Sequence, residues 1–159
     1  MLRPVGDADY DAIHAIWMEP SANRYLSFEP MAPDDFRPVF EAIRREASLY
    51  VWDVDGEVVA TASASRWARR ASHVATIGCV ATRRDRRRQG HAAAMMRALV
   101  ARLVGEGLER VDVWVEADNP GAIAFYAALG FVTEGLLRRC FRRAGEPDAV
   151  DEVVMAVYR

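Results

Sequence analysis

The run Arg83-Arg84-Asp85-Arg86-Arg87-Arg88-Gln89-Gly90-His91-Ala92 follows Val80-Ala81-Thr82 and leads straight into a stretch of helical apolar spacing. Three physical features meet there. The start of a helix presents N–H groups that have no partner in the helix, at the positive end of its dipole. Gly90 has no Cβ, so an anion can come close to that backbone. Arginines add forked donors suited to phosphate oxygens. Together they describe a phosphate or diphosphate cradle. The G-x-x-x-x-G-K-[ST] and G-x-G-x-x-G patterns are both absent, so it is neither a P-loop nor a Rossmann fingerprint. A solvated arginine face and a nucleic-acid patch are the alternatives. The nucleic-acid alternative fits poorly, because the chain is net acidic at -2 and no aromatic residues interleave the run.

A second constellation is Asn119-Pro120-Gly121-Ala122-Ile123-Ala124-Phe125-Tyr126-Ala127-Ala128-Leu129-Gly130-Phe131. Asn119 suits a helix N-cap, Pro120 the first helical position and Gly130 the residue just past the end. Asn119 and Tyr126 then share one helix face, two turns apart. The only two cysteines, Cys79 and Cys140, have no paired spacing and no Cys/His cluster, so neither a disulfide framework nor a metal site is expected. Cys79 as an acyl-carrying nucleophile lacks an identifiable His/Asp partner, and a buried thiol is the favoured reading.

These residues must be positioned by a chain of 159 residues, 52% hydrophobic and 28% charged, the size of one ordinary domain. All 21 basic residues are arginine, which points to a GC-rich, bacterial coding sequence. Arg66 to Arg97 holds nine arginines against one aspartate, so positive charge is gathered in one segment that should meet an anion. No apolar run is long enough to span a bilayer, and the first residues lack a secretory leader, so a cytoplasmic protein without a membrane partner is expected.

Spacing predicts a strand at Leu2 to Pro4, a helix over Asp7 to Met18, a loop from Glu19 to Pro33 and a helix over Asp34 to Ala47. Leu49 to Val54 and Glu57 to Ser65 read as a hairpin around Asp55-Gly56. There follow a strand at His73 to Thr82, a helix at Gln89 to Glu106 and a strand at Val111 to Glu116. A helix at Asn119 to Leu129 and strands at Phe131 to Phe141 and Val150 to Tyr158 complete the chain. The order describes one mixed α/β domain over 1–159.

The Arg87 to Ala92 element resembles the Q/R-x-x-G-x-G/A motif of the GCN5-related N-acetyltransferase (GNAT) superfamily. Asn119 to Phe131 is similar to that family's N-x-x-A…Y…G-F segment, in the same order and with a strand before each helix. The resemblance implies a GNAT fold: a single mixed, mostly antiparallel sheet of about six to seven strands flanked by helices. It also implies an enzyme that moves acetyl from acetyl-CoA to a primary amine of a small molecule or a peptide N-terminus, by direct attack in a ternary complex and without metal. The backbone of Val80, Ala81 and Thr82 would meet the pantetheine arm as an added strand does. The amides of Arg87, Arg88, Gln89, Gly90, His91 and Ala92 would cradle the diphosphate, and Asn119 would hydrogen-bond the cofactor. Thr82 stands where many members have valine, and His91 fills a variable position.

By the same resemblance Tyr126 is the general acid, its phenol protonating the leaving thiolate, and a backbone N–H near Ala81 would stabilise the oxyanion. The pattern departs at the general base. Many members carry a glutamate on the strand before the arginine loop, whereas His73 to Val80 holds no carboxylate. His73, Glu116 and a water relay are the candidates. The acceptor pocket falls to Glu19 to Pro33 and Phe131 to Pro147, where Glu29 or Glu134 could hold an ammonium and Arg24 or Arg138 a carboxylate. A homodimer is allowed for. Two rivals stand beside this reading: a non-catalytic CoA-binding regulatory or partner protein on the same fold, and an arginine-driven RNA-binding module.

Overall fold

A computed structural model describes residues 1–158. Seven strands are hydrogen-bonded in the order β1-β2-β3-β4-β5-β7-β6. They are β1 (Leu2–Pro4), β2 (Ser48–Val54), β3 (Glu57–Arg66), β4 (Val74–Thr82), β5 (Arg110–Glu116), β6 (Val132–Phe141) and β7 (Val150–Tyr158). The helices are α1 (Tyr10–Trp17), α2 (Pro20–Asn23), α3 (Pro33–Glu46), α4 (His91–Gly105) and α5 (Pro120–Ala128). The described residues resolve into two compact units, one of residues 1–65 and 78–99, the other of residues 66–77 and 100–158.

In the first unit β1, β2 and β3 form an antiparallel meander. Asp55 and Gly56 both take positive φ, +52° and +83°, the conformation of the tight hairpin turn that an Asp-Gly pair favours. One face is covered by α1 and α3, whose Ile13, Ile16, Trp17, Phe36 and Phe40 are buried with Leu49, Val51 and Ala81. The helix expected from Asp7 begins instead as a 3₁₀ turn at Asp7–Asp9. Asp9 is drawn off by the Gly6 N–H and by the two terminal nitrogens of the Arg3 guanidinium. The expected loop from Glu19 to Pro33 contains α2, started by the Glu19 carboxylate, which accepts from the Ala22 N–H, with Pro20 at the first helical position.

In the second unit the start of β4 pairs β5 in parallel from Val74↔Arg110 to Ile77↔Val113, and the ladder stops there. β7 lies antiparallel to both β5 and β6. Val111, Val113, Val115 and Met155 form buried rows, with Tyr126 and Phe131 also inside. Asn119 caps α5 as its sequence implies, its side chain accepting from the Ala122 N–H at 3.1 Å, and Gly130 closes the helix with φ +93°.

Candidate active site

The arginine loop is built around its backbone. A 3₁₀ turn at Arg84–Arg86 precedes Arg88 and Gly90, which take φ +60° and +85°, so α4 starts at His91 and not at Gln89. Left-handed residues so close together turn successive N–H groups toward a common side, which is how backbone amides form an anion-binding concavity. The first helical bond runs from the Ala94 N–H to the Gly90 carbonyl. The N–H groups from Arg88 to Ala93 have no acceptor among the described residues. A Cβ at Gly90 would meet nothing within 4 Å, so glycine is required there by the dihedral angle and not by crowding.

The arginine side chains are mostly committed elsewhere. Arg83 grips Asp85 through two bonds of 2.7 Å. Arg86 bonds Glu57 at 2.6 Å. Arg87 donates to the Glu19 carboxylate at 2.8 Å, to the Ser21 hydroxyl at 2.6 Å and to the Thr82 carbonyl at 3.0 Å. Glu19 is held below the usual carboxylate range, first by Ser21 and then by Arg87. Of the six residues Arg83 to Arg88, the exposed Arg88 is the one cation with no carboxylate partner among the described residues. What the loop leaves unpaired is therefore chiefly its amides, while most of the forked guanidiniums are bonded within the protein. His91 sits half-buried at the first helical position.

The second unit carries the titratable centre. Tyr126 is buried on α5, its ring edge-on to Phe125 and Phe131 with centroids at 5.1 and 5.6 Å. Burial, and then the charge of Glu116, push its phenol well above the ordinary range, so it keeps its proton and remains able to donate it. Glu116 is 6% exposed at the end of β5, directly opposite Glu152 of β7. Burial, reinforced by Glu152, pushes the Glu116 carboxyl up to about 7. Arg143, itself buried, is fastened to Asp118 by bonds of 2.8 and 2.9 Å and lends a partial counter-charge. A carboxyl poised near neutrality and a phenol that keeps its proton are the two kinds of group that acid/base chemistry requires.

The other candidates are spread out. His73 is exposed and precedes β4, and its carbonyl accepts from the N–H groups of Glu109 and Arg110 at the start of β5. Glu116 lies six residues further along that strand, about 20 Å away. His73 is therefore removed from the Tyr126 neighbourhood. Glu134 also departs from expectation, because both its oxygens are taken by Arg110, at 3.2 and 2.5 Å. Arg24 and Glu29 lie on the segment after α2, and Arg138 is exposed on β6. Asn119 spends its carbonyl oxygen on the cap of α5. Its Nδ2 has no acceptor among the described residues. Burial pushes the Cys79 thiol up, which disfavours the thiolate an acyl carrier would need. No group of three or more metal-ligating side chains occurs among the described residues. Glu19, Glu152 and the Arg143–Asp118 pair escaped the sequence analysis. For Glu19 a signal existed, since a carboxylate before Pro-Ser is a helix-start pattern.

A family model described as the acetyltransferase (GNAT) family matches residues 7–131. The chain belongs to that family. Its sequence is 31% identical over 159 residues to the L-amino acid N-acetyltransferase AaaT of Escherichia coli, covering 98% of this chain and 96% of that one. Among solved structures, the ribosomal-protein-alanine N-acetyltransferase from Brucella melitensis superposes with a TM-score of 0.81 at 20% identity, covering 100% of this chain and 99% of that one. The phosphinothricin acetyltransferase from Sinorhizobium meliloti, solved in complex with acetyl-CoA, gives 0.78 at 23% identity, covering 99% and 87%. The mixed, mostly antiparallel seven-stranded sheet is the GNAT sheet that the motifs implied. The protein is an acyl-CoA-dependent N-acetyltransferase with acetyl-CoA as co-substrate. The non-catalytic alternative finds no support among these relatives. No helix among the described residues is long and apolar enough to cross a membrane.

Proposed function

We propose that this GNAT enzyme acetylates the α-amine of a free amino acid or a closely similar small primary amine, with Glu116 as general base and Tyr126 as general acid. The observation that carries the proton chemistry is the buried Glu116 carboxyl at about 7, electrostatically coupled to a Tyr126 phenol that stays protonated. Acetyl-CoA supplies the activated acyl group and a thiolate that departs. Near neutral pH Glu116 is partly ionised, so it can take a proton from the incoming ammonium and leave the nitrogen lone pair free. Tyr126 keeps its proton through the attack and passes it to the departing thiolate as the tetrahedral intermediate collapses, and the second proton shed by the acetylated nitrogen restores the phenol, so no phenolate accumulates. Glu152 keeps the Glu116 proton affinity high enough for the first of these transfers.

The residues fit the co-substrate. The acceptor-free amides from Arg88 to Ala92, with that of Arg87 before them, receive the diphosphate, helped by the Arg88 charge. Val80, Ala81 and Thr82 lie beyond the end of the β4–β5 ladder and offer main-chain groups to the pantetheine arm. Asn119 offers its Nδ2. Arg24, Glu29 and Arg138 remain as acceptor contacts, and Glu134 serves only if it leaves Arg110. The whole chain, 1–159, works as one cytoplasmic acetyltransferase domain of bacterial type.

The amino-acid acceptor is favoured by the 31% identity to AaaT along nearly the full length of both chains. Peptide N-termini are the second acceptor class. Thiol release from acetyl-CoA, measured against a panel of L-amino acids, their Nα-acetylated and carboxamide derivatives and short peptides, decides between them. Turnover with free amino acids that is lost on blocking the α-amine supports the assignment. Turnover confined to peptides transfers it to the second class.

A further inference from the structure

β4 contains a residue that a regular strand does not tolerate. Cys79 has φ +49°, in the left-handed region that a side chain with a Cβ seldom occupies. Such a conformation persists only where its surroundings over-determine it. The Cys79 carbonyl accepts from the Thr61 hydroxyl of β3 at 3.0 Å. That hydroxyl accepts in turn from the Trp17 indole N–H of α1 at 2.8 Å. Trp17 is 0% and Thr61 1% exposed, so water cannot stand in for either partner. Trp17 donates to the hydroxyl oxygen, which leaves the hydroxyl hydrogen to the Cys79 carbonyl, so the chain of bonds has one direction and each bond polarises the next. The Ser63 side chain holds the Cys79 thiol as well.

A trans peptide is planar, with its C=O and N–H pointing in opposite directions. Pinning the Cys79 carbonyl toward Thr61 therefore aims the Val80 N–H the other way. Val80 opens the segment assigned above to the thioester arm, so this inference rests on that assignment. We infer that Trp17 and Thr61 are positioning residues for acetyl transfer. Their hydrogen-bond relay holds Cys79 in its left-handed conformation and so sets the direction of the Val80 N–H against the thioester arm.

The test compares wild type with Thr61→Val, Thr61→Ser and Thr61→Val/Cys79→Gly. Folding is followed by thermal unfolding, acetyl-CoA affinity by calorimetry, and kcat and acceptor KM by thiol release with the best amine of the panel. Thr61→Val keeps the shape and loses both hydrogen bonds. It should lower kcat by roughly 10- to 100-fold, toward the loss seen when one aimed donor is removed, with acceptor KM unchanged. Thr61→Ser keeps the hydroxyl and should stay within about 3-fold of wild type, as the hydroxyl is the group that carries the relay. Glycine adopts φ +49° without a Cβ penalty. The double variant should therefore recover much of the lost kcat, a rescue that a packing role of Thr61 would not give.

A folded Thr61→Val enzyme with wild-type kcat overturns the relay, as does a double variant no faster than Thr61→Val. If Thr61→Val does not fold, Trp17→Phe takes its place. It removes only the first donor and should lower kcat in the same direction by several-fold, and an unchanged kcat overturns the relay. Wild type that binds no acetyl-CoA would remove the assignment of Val80 to Thr82 and the relay with it. Wild type that binds, beside a Thr61→Val enzyme that works equally well, removes the relay alone.

Discussion

In the proposed mechanism Tyr126 and Glu116 divide the proton chemistry because burial acts on both in the same direction and with different results. It keeps the phenol protonated at every working pH, and it brings the carboxyl to about 7, where it can accept. Tyr126→Phe removes the donor alone. It should lower kcat by about 100-fold or more, the usual worth of a positioned acid, while calorimetric affinity for acetyl-CoA stays near wild type. Glu116→Gln should abolish the acid limb of the kcat/KM profile, which in wild type falls below about pH 7. The same carboxyl links pH to stability. Its folded value lies above the ordinary 4.5, so the contribution it makes is complete below 4.5 and is lost as pH rises through 7. The loss approaches about 3 kcal/mol, and thermal unfolding of Glu116→Gln across that window should be correspondingly flatter. Tyr126 was proposed from its place in the family motif, and the seven-residue spacing from Asn119 survives as helix geometry on α5. Glu116 was visible only as one of several candidates. What singles it out is burial first and then a cross-strand partner, Glu152, 36 residues away, and no local pattern announces either.

At the scale of elements, boundaries were least legible where a side chain competes with the backbone. The pattern from Asp7 to Met18 is helical throughout, yet Asp9 is taken by Gly6 and Arg3 and the first turn tightens. Apolar periodicity carries α4 back to Gln89, whereas the positive φ of Arg88 and Gly90 assigns those residues to the loop. Glycine hinted at this and arginine did not. The strands came through closely, since the Asp-Gly turn and the β-branched runs act locally. Glu19 joins two elements at once, capping α2 and anchoring Arg87 of the arginine loop. Glu19→Ala should therefore cost about 1–2 kcal/mol, one lost cap plus one partly buried ion pair, read as a lower Tm. The freed Arg87 should also make acetyl-CoA affinity more sensitive to salt than in wild type.

For the whole molecule, a net charge of -2 conceals a strongly basic segment, and the structure shows how the two are reconciled. Glu19, Glu57 and Asp85 pair with four of the five arginines from Arg83 to Arg88, and Arg88 has no carboxylate partner among the described residues. That arrangement was hidden in the sequence, where an arginine cluster suggests guanidinium forks. A ligand that binds only the folded state adds about 2.7 kcal/mol at one hundred times its Kd. Acetyl-CoA at that excess should raise Tm by several degrees. The most direct measurement is a calorimetric titration of wild type, Gly90→Val and Arg88→Ala with acetyl-CoA. Saturable binding in wild type is expected, lost or weakened at least about 30-fold by Gly90→Val, whose β-branched side chain opposes φ +85°, and weakened only several-fold by Arg88→Ala. Folded wild-type protein that takes up no acetyl-CoA, or a Gly90→Val variant that binds as tightly as wild type, would contradict the amide cradle on which the catalytic assignment stands.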